Sequence, residues 1–338
     1  MHILLTLACA VGLVVYSLRK KSLSPSGAAG AFALALITFS AHLFAFTAAL
    51  MVFFLTSSKL TKFKADRKRQ LEDSYLEGGQ RDIIQVLCNG LTAAVVLVVY
   101  RVWFGNGELA CFEDERWARA LVWAYVGHYA ACNGDTVGPS SLYFPSSHFL
   151  ITSPFPPLPT QWSSELGILN TQPPYLITTF RQVPPGTNGA VSPLGLVASL
   201  VGGLVVGASA ALVLAMETPC SGYGELALVI VGAVGGLGGS LVGCGWVWLC
   251  GCEWTRHLIN HSNNTQFDSI LGATIEQTLY SPTKGKIVSG HHSPTSTEET
   301  DDELKVVSGL NLLSGNQINF LSSLVTAVVA GAAAWWSY

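Results

Sequence analysis

Charge is scarce in this sequence. Charged residues make up 12% of its 338 positions while half are hydrophobic, against about 25% charged in an average soluble domain. A chain so poor in charge cannot clothe a folded surface in water-compatible side chains. That excludes an ordinary soluble domain and leaves lipid as the surroundings that accept apolar side chains all round a helix. The mean hydropathy of +0.43 points the same way. A basic excess is missing too: the net charge is −3, so nothing recommends nucleic acid as a partner, and none is expected. No G-x-x-x-x-G-K-[ST] phosphate loop occurs. The eight cysteines fall mostly inside apolar runs, where a thiol behaves as a small hydrophobe, so no disulfide framework is implied. Cys250, Cys252, His257 and His261 read C-x-C-x4-H-x3-H, but the gap is much shorter than a zinc finger's spacer of about twelve residues, and no zinc is expected.

Long apolar runs are what the chain has instead. Judged against the roughly 20 apolar residues that cross hydrocarbon, spans are predicted at 3–18, 27–41, 42–57, 83–104, 117–133, 190–216, 225–250 and 317–336. In the first, Arg19, Lys20 and Lys21 follow the apolar stretch rather than precede it, the reverse of a signal peptide, so it reads as a retained membrane helix. The stretch from Gly27 to Ser57 is flanked by Arg19 to Lys21 before it and by Lys59, Lys62, Lys64, Arg67, Lys68 and Arg69 after it. Both flanks belong in the cytoplasm by the positive-inside rule. They share a side only if the stretch is a hairpin turning near Ser40 to His42. The expectation is therefore an all-α multi-pass membrane protein of about eight spans, six at the fewest.

That topology leaves the acidic Gly105 to Glu115 loop outside. It places the charged loop 57–82, Gly134-Asp135-Thr136, Trp162 to Gly167, Arg181 to Gly189, Asp268 to Thr274 and Asn316 to Asn319 together inside. Segment 284–309, with its tract HHSPTSTEETDDEL, is polar and reads as a disordered loop. The sequons at Asn260 and Asn263 carry little weight in a cytoplasmic loop.

Several of these polar residues are candidates for chemistry. Lys59 sits at a membrane mouth, and Gly78-Gly79-Gln80-Arg81 puts flexible backbone beside a guanidinium, which suits a phosphate. In VPPGTNGAVS, residues 183–192, the turn Thr187-Asn188-Gly189 stands at a helix start, where free N–H groups attract anions or where a simple capping turn is made. Arg181 lies just before it. Asn89 and Asn319 are polar residues in or beside apolar runs. Asp135, Glu165 and Asp268 each adjoin an apolar helix, where an ionised carboxylate is costly unless it meets a polar cavity or a cation. Mg²⁺ is held typically by one or two carboxylates plus substrate phosphates. Carboxylates, arginines and glycine-rich anion turns are the parts phosphoryl transfer needs. Each carboxylate by itself reads equally as a ligand or as half of a structural pair. The Gly-rich runs at 202–207 and 232–243 let helices approach closely.

Taken in order, SSKLTKFK, EGGQRDIIQVLCNG, GDT with WSSELG, LITTFRQVPPGTNGAVS, DSILGAT and NQINFLSSL resemble the transmembrane protein 19 family, the domain-of-unknown-function 92 group, over nearly the whole chain. A plant and cyanobacterial branch acts as phytyl-phosphate kinase. The resemblance therefore implies a kinase-like enzyme converting an isoprenoid monophosphate to the diphosphate with a nucleoside triphosphate; the carboxylates beside apolar helices, Asp135, Glu165 and Asp268, are the expected Mg²⁺ ligands. Two departures stand out. In relatives GDT runs straight into W-[AS]-S-E and LGGSLV into DSILGAT, whereas here 137–161 and 243–267 intervene. The first begins with Val, whose codons start GT, and ends with Gln, one of whose codons is CAG, so both are expected to be retained introns. A transporter or lipid carrier, with the carboxylates as coupling sites, and a non-catalytic membrane protein are the competing classes.

Overall fold

A computed structural model describes residues 3–60, 80–105, 115–134, 173–184, 187–217, 224–240, 267–281, 286–289 and 305–337. Among these, α1 spans Ile3–Arg19, α2 Pro25–Phe39, α3 Phe44–Leu60, α4 Ile83–Cys88, α5 Leu91–Phe104 and α6 Arg116–Gly134. After strands β1 (Tyr175–Leu176) and β2 (Ala190–Val191) come α7 (Pro193–Glu217), α8 (Gly224–Ser240) and α9 (Phe267–Ile275). Strands β3 (Thr278–Ser281), β4 (Lys286–Ser289) and β5 (Lys305–Ser308) then precede α10 (Gly315–Trp336). Of the described helices, α7 and α10 are long and apolar enough to cross a membrane unaided, and α1, α2, α3, α5 and part of α8 are shorter apolar helices.

Local signals start these helices where the sequence puts them. Ser24 caps α2, its Oγ accepting from Gly27 N–H at 3.1 Å, and Pro25 takes the first helical position. Asp82 and Gln85 form a capping box on α4, with Gln85 N–H donating to Asp82 Oδ1 at 2.8 Å. Between α2 and α3 the chain turns over residues 40–43, forming the hairpin that the flanking charges demand.

The direction of each helix follows from its contacts. Thr6 Oγ1 donates to Phe39 O at 3.3 Å, so α1 runs antiparallel to α2 and brings Arg19, Lys20 and Lys21 to the end where α2 begins. Glu217, the last residue of α7, accepts from Phe44 N–H, the first of α3. Arg119 Nε near the start of α6 donates to Ala334 O near the end of α10, at 3.1 Å. The termini of α1, α3, α6 and α8 and the beginnings of α2, α4, α7 and α10 thus share one end, the basic end. At the opposite end Trp103, Trp117 and Trp335 cluster, the first pair edge to face and the second tilted, with ring centroids 5.4 and 4.3 Å apart, in the manner of an interfacial aromatic belt.

Helix α6 is the axis. It is buried along nearly its whole length and packs on α3, α5, α7, α8 and α10. Its sequence explains why: small residues alternate with Trp, Tyr and His, and the buried Arg119, His128 and Asn133 each make a hydrogen bond to a neighbouring helix. The outward faces of other helices are apolar. Leu4, Val102 and Met216 are 77, 75 and 80% exposed, a surface that lipid tolerates and water does not.

Four sequence expectations need correction. The architecture is mostly helical but carries two small antiparallel sheets, β1–β2 and β4–β3–β5. Within 284–309, read as disordered, the segments 286–289 and 305–308 are strands paired to β3; KIVS and KVVS supply the β-branched pairs that the neighbouring acidic tract hides. The predicted span 83–104 is interrupted at Asn89–Gly90, and the loop predicted from Ser57 begins later, because Ser57 to Leu60 continue α3.

Candidate functional site

The break at Asn89–Gly90 is where the site begins. α4 ends on Asn89, and α5 starts after Gly90 without a side-chain cap. A broken helix frees backbone groups that must be satisfied inside the bundle. His128, fully buried on α6, lies with Nε2 3.0 Å from the Asn89 carbonyl oxygen. A carbonyl can only accept, so that nitrogen carries the proton and donates. Cys132 Sγ, one turn on, stands 3.7 Å from the same Nε2.

Around this break lies a cavity of about 50 Å³ between α1, α2, α3, α4 and α6. Its walls are apolar, with Leu13, Leu34, Leu50, Phe53 and Phe54 among them, and its polar members are Arg81, Asn89 and Tyr129. Arg81 stands at the basic end. Its backbone is fixed there, with its N–H donating to Ser22 O at 3.3 Å and its carbonyl accepting from Ser24 N–H at 3.0 Å. A Cβ on Gly27 would overlap that carbonyl, which is why the chain has glycine at this crossing. The cavity therefore runs from a guanidinium-bearing residue at the bundle's end to Leu34 and Leu50 toward its middle.

A second polar contact flanks it. Asn133 is fully buried; Thr56 Oγ1 lies 3.4 Å from its Oδ1, and its Nδ2 donates to Gly202 O at 2.8 Å. This joins the ends of α3 and α6 to α7. Lys59, exposed, occupies the last turn of α3 beyond Thr56. The next residue, Gly134, is pressed on α8 so closely that a Cβ would stand 2.6 Å from Gly236 Cα.

The Thr187-Asn188-Gly189 turn sits at the same end, before α7, but its groups are engaged. Thr187 Oγ1 and N–H both donate to Pro184 O, at 2.7 and 3.3 Å, and Asn188 N–H donates to Thr278 Oγ1 of β3 at 3.1 Å. These are bonds that a capping turn makes. Gly189 carries a φ of 76° and packs on Gly272 of α9. Arg181 is exposed, its carbonyl accepting from Leu176 N–H at 2.9 Å. Asn319, near the start of α10, has its Oδ1 buried without a hydrogen-bond partner.

Asp135 and Glu165 lie outside the described residues, as do 137–161, 243–266 and Gly78-Gly79; Asp268 is described as part of α9 without its side chain. Among the described residues no group of three His, Cys, Asp or Glu side chains is placed to hold a metal ion. What sequence reasoning missed is His128, Tyr129 and Asn133. The available signal was a histidine and an asparagine inside a predicted span, since ionisable or strongly polar residues in a membrane helix mark its interior face.

The comparisons with known proteins agree with this architecture. The chain is 34% identical over 322 residues to Protein PGR of Arabidopsis thaliana, covering 94% of this chain and 91% of that one. It is 32% identical over 120 residues to an uncharacterized membrane protein of Methanocaldococcus jannaschii, covering 35% of this chain and 45% of that one. No solved structure matches. The family described as Integral membrane protein DUF92 matches residues 8–154, 161–246 and 263–327, its two gaps falling inside the segments 137–161 and 243–267. With a family match over most of its length and a relative aligned almost end to end, this chain belongs to the DUF92 family of integral membrane proteins.

Proposed function

We propose that this membrane protein performs lipid-phosphate chemistry at its basic end, taking an isoprenoid monophosphate and a nucleoside triphosphate as substrates. The observation that carries this reading is the polarity of the cavity, with Arg81 at its outer end and Leu34, Leu50 and the Phe53–Phe54 pair within. An amphiphile with an anionic head fits that gradient. A guanidinium recognises phosphate with paired, charge-assisted hydrogen bonds, and the apolar walls favour burial of the first part of a hydrocarbon tail. Eight traverses of the bilayer are part of the proposal, counting α4 and α5 as one and placing the basic end in the cytoplasm.

In the kinase form of the reading an oxygen of the lipid monophosphate attacks the γ-phosphorus. The bond from that phosphorus to the β-bridging oxygen breaks, and the nucleoside diphosphate leaves. Lys59, Arg81 and Arg181 would balance phosphate charge. Asp135, Glu165 and Asp268 would hold Mg²⁺, which when bound neutralises charge on the transferred group. The turn Thr187-Asn188-Gly189 would set the height of the α7 start beside them, as its internal bonds favour support over direct phosphate capture.

A lipid carrier is the second reading, favoured by the helix break at Asn89–Gly90, since discontinuous helices mark substrate sites in transporters. One reconstitution separates the two. The full-length protein in liposomes is given labelled nucleoside triphosphate and prenyl monophosphates, and both product and transbilayer movement are followed. Label in a prenyl diphosphate, lost in Arg81→Gln, supports the kinase; movement without product supports the carrier. Neither product, movement nor lipid-phosphate binding, with wild type and Arg81→Gln alike, overturns both.

A further inference from the structure

Gly90 and Leu34 meet at the cavity wall in an unusual way. Gly90 belongs to the helix break, and Leu34 is a nearly buried residue of α2. A Cβ built on Gly90 would overlap Leu34 Cδ1 and stand 3.2 Å from Val86 O. The isobutyl group is thus seated directly on glycine backbone, and both residues line the cavity. Withdrawn onto Gly90, the Leu34 side chain leaves the lumen open; a methyl group on residue 90 would drive it inward, because a leucine terminus yields more readily than backbone.

We propose that Leu34, held back by Gly90, sets the cross-section of the hydrocarbon tail the cavity accepts, and so separates methyl-branched from straight chains. The inference rests on the lipid-phosphate reading of this same cavity and adds its tail specificity. The physical basis is that a close-packed apolar wall discriminates by single methyl groups: one carbon more or less in such a site changes preference by about 10-fold to 200-fold. Among the lining side chains Leu34 is the one seated on Gly90, whereas Phe53 and Phe54 pack into the core cluster. Ala31, on α2 one turn before Leu34, is already small.

The test uses the full-length protein in lipid nanodiscs and two probes of equal carbon number, an isoprenoid monophosphate and a straight-chain alkyl monophosphate, with affinity measured for each. Leu34→Ala is expected to shift the ratio toward the branched probe by about tenfold. Gly90→Ala should shift it toward the straight probe by a similar factor. The double variant should match Leu34→Ala rather than average the two shifts, since the alanine at 34 no longer reaches the added methyl group. Leu34→Phe, which narrows the lumen without altering Gly90, serves as the narrowing variant if Gly90→Ala fails to fold. An unchanged ratio in folded Leu34→Ala and in the narrowing variant sinks the specificity inference alone. Binding of neither probe by the wild type sinks the functional reading and this inference with it.

Discussion

Helices α7 and α8 meet backbone to backbone, whereas α1 to α4 and α6 present mostly leucine and phenylalanine side chains to the cavity between them. In the first pair Gly203, Gly207, Gly232 and Gly236 interlock along an antiparallel crossing, and a Cβ on Gly236 would stand 2.6 Å from Gly203 Cα and overlap Ser199 O. In the second region flexible side chains fill irregular space. The difference teaches which half is able to adapt to a ligand. Backbone cannot withdraw from an intruding methyl group, so the α7–α8 crossing is rigid, while around the cavity, away from the Gly27–Arg81 crossing, the walls are side chains that can change rotamer. The largest effect should follow from testing this directly. Gly236→Val is expected to cost about 3 kcal/mol of stability, or folding altogether, because every nearby atom is backbone of the facing helix. Unfolding in mixed micelles measures it, and a loss below about 1 kcal/mol would show that the pair can separate after all.

The two halves are joined at the basic end by Asn133, whose amide donates to Gly202 O of α7 and whose oxygen faces Thr56 of α3. Asn133→Leu keeps the volume and removes both polar contacts. Hydrogen bonds between membrane helices are worth about 0.6 kcal/mol on average and up to about 1.7; the buried position argues for about 1 kcal/mol here. The same unfolding assay reads the loss, and a cysteine cross-link across the ends of α3 and α7 should form faster in the variant as the seam loosens. Equal stability and equal cross-linking would mean that the halves are held by packing alone.

How much of this was legible beforehand depended on whether the cause lay in local sequence. The α2–α3 hairpin was, because lysines and arginines on both flanks fix one side. The starts of α2 and α4 were too, because Ser24-Pro25 and Asp82 with Gln85 act within one turn. The break at Asn89–Gly90 was missed although Asn-Gly is itself a turn signal, because the apolar residues on both sides read as one continuous span. The sheet β4–β3–β5 was hidden because its strands are short and two of them border polar loop sequence. The turn at Thr187 and Asn188 read equally as an anion site or a capping turn, because one of its acceptors, Thr278 Oγ1, comes from a strand far along the chain. Transcript sequencing bears directly on the proposed ligands Asp135 and Glu165. Reads lacking 137–161 and 243–267 would bring Asp135 and Glu165 close together in sequence, and reads retaining both segments would refute the intron reading.

The smaller effects probe the comparison from its far end. There Glu217 closes α7 onto α3, its Oε1 accepting from Phe44 N–H at 2.7 Å and its Oε2 from Ala45 N–H at 3.3 Å. The carboxylate completes the first turn of α3, where a negative charge also meets the positive end of the helix dipole. Glu217→Gln retains one acceptor and loses the charge, so the expected loss is about 0.5 kcal/mol, read as a small drop in unfolding midpoint. Smallest of all should be Gly12→Leu in α1. A Cβ there would meet nothing within 4 Å, and a leucine facing lipid on a helix whose main neighbour is α2 should change stability by less than about 0.5 kcal/mol. If it destabilises the protein by more than 1 kcal/mol, the outer face of α1 is covered by a partner. The cavity region would then owe its shape to an assembly rather than to its own side-chain packing.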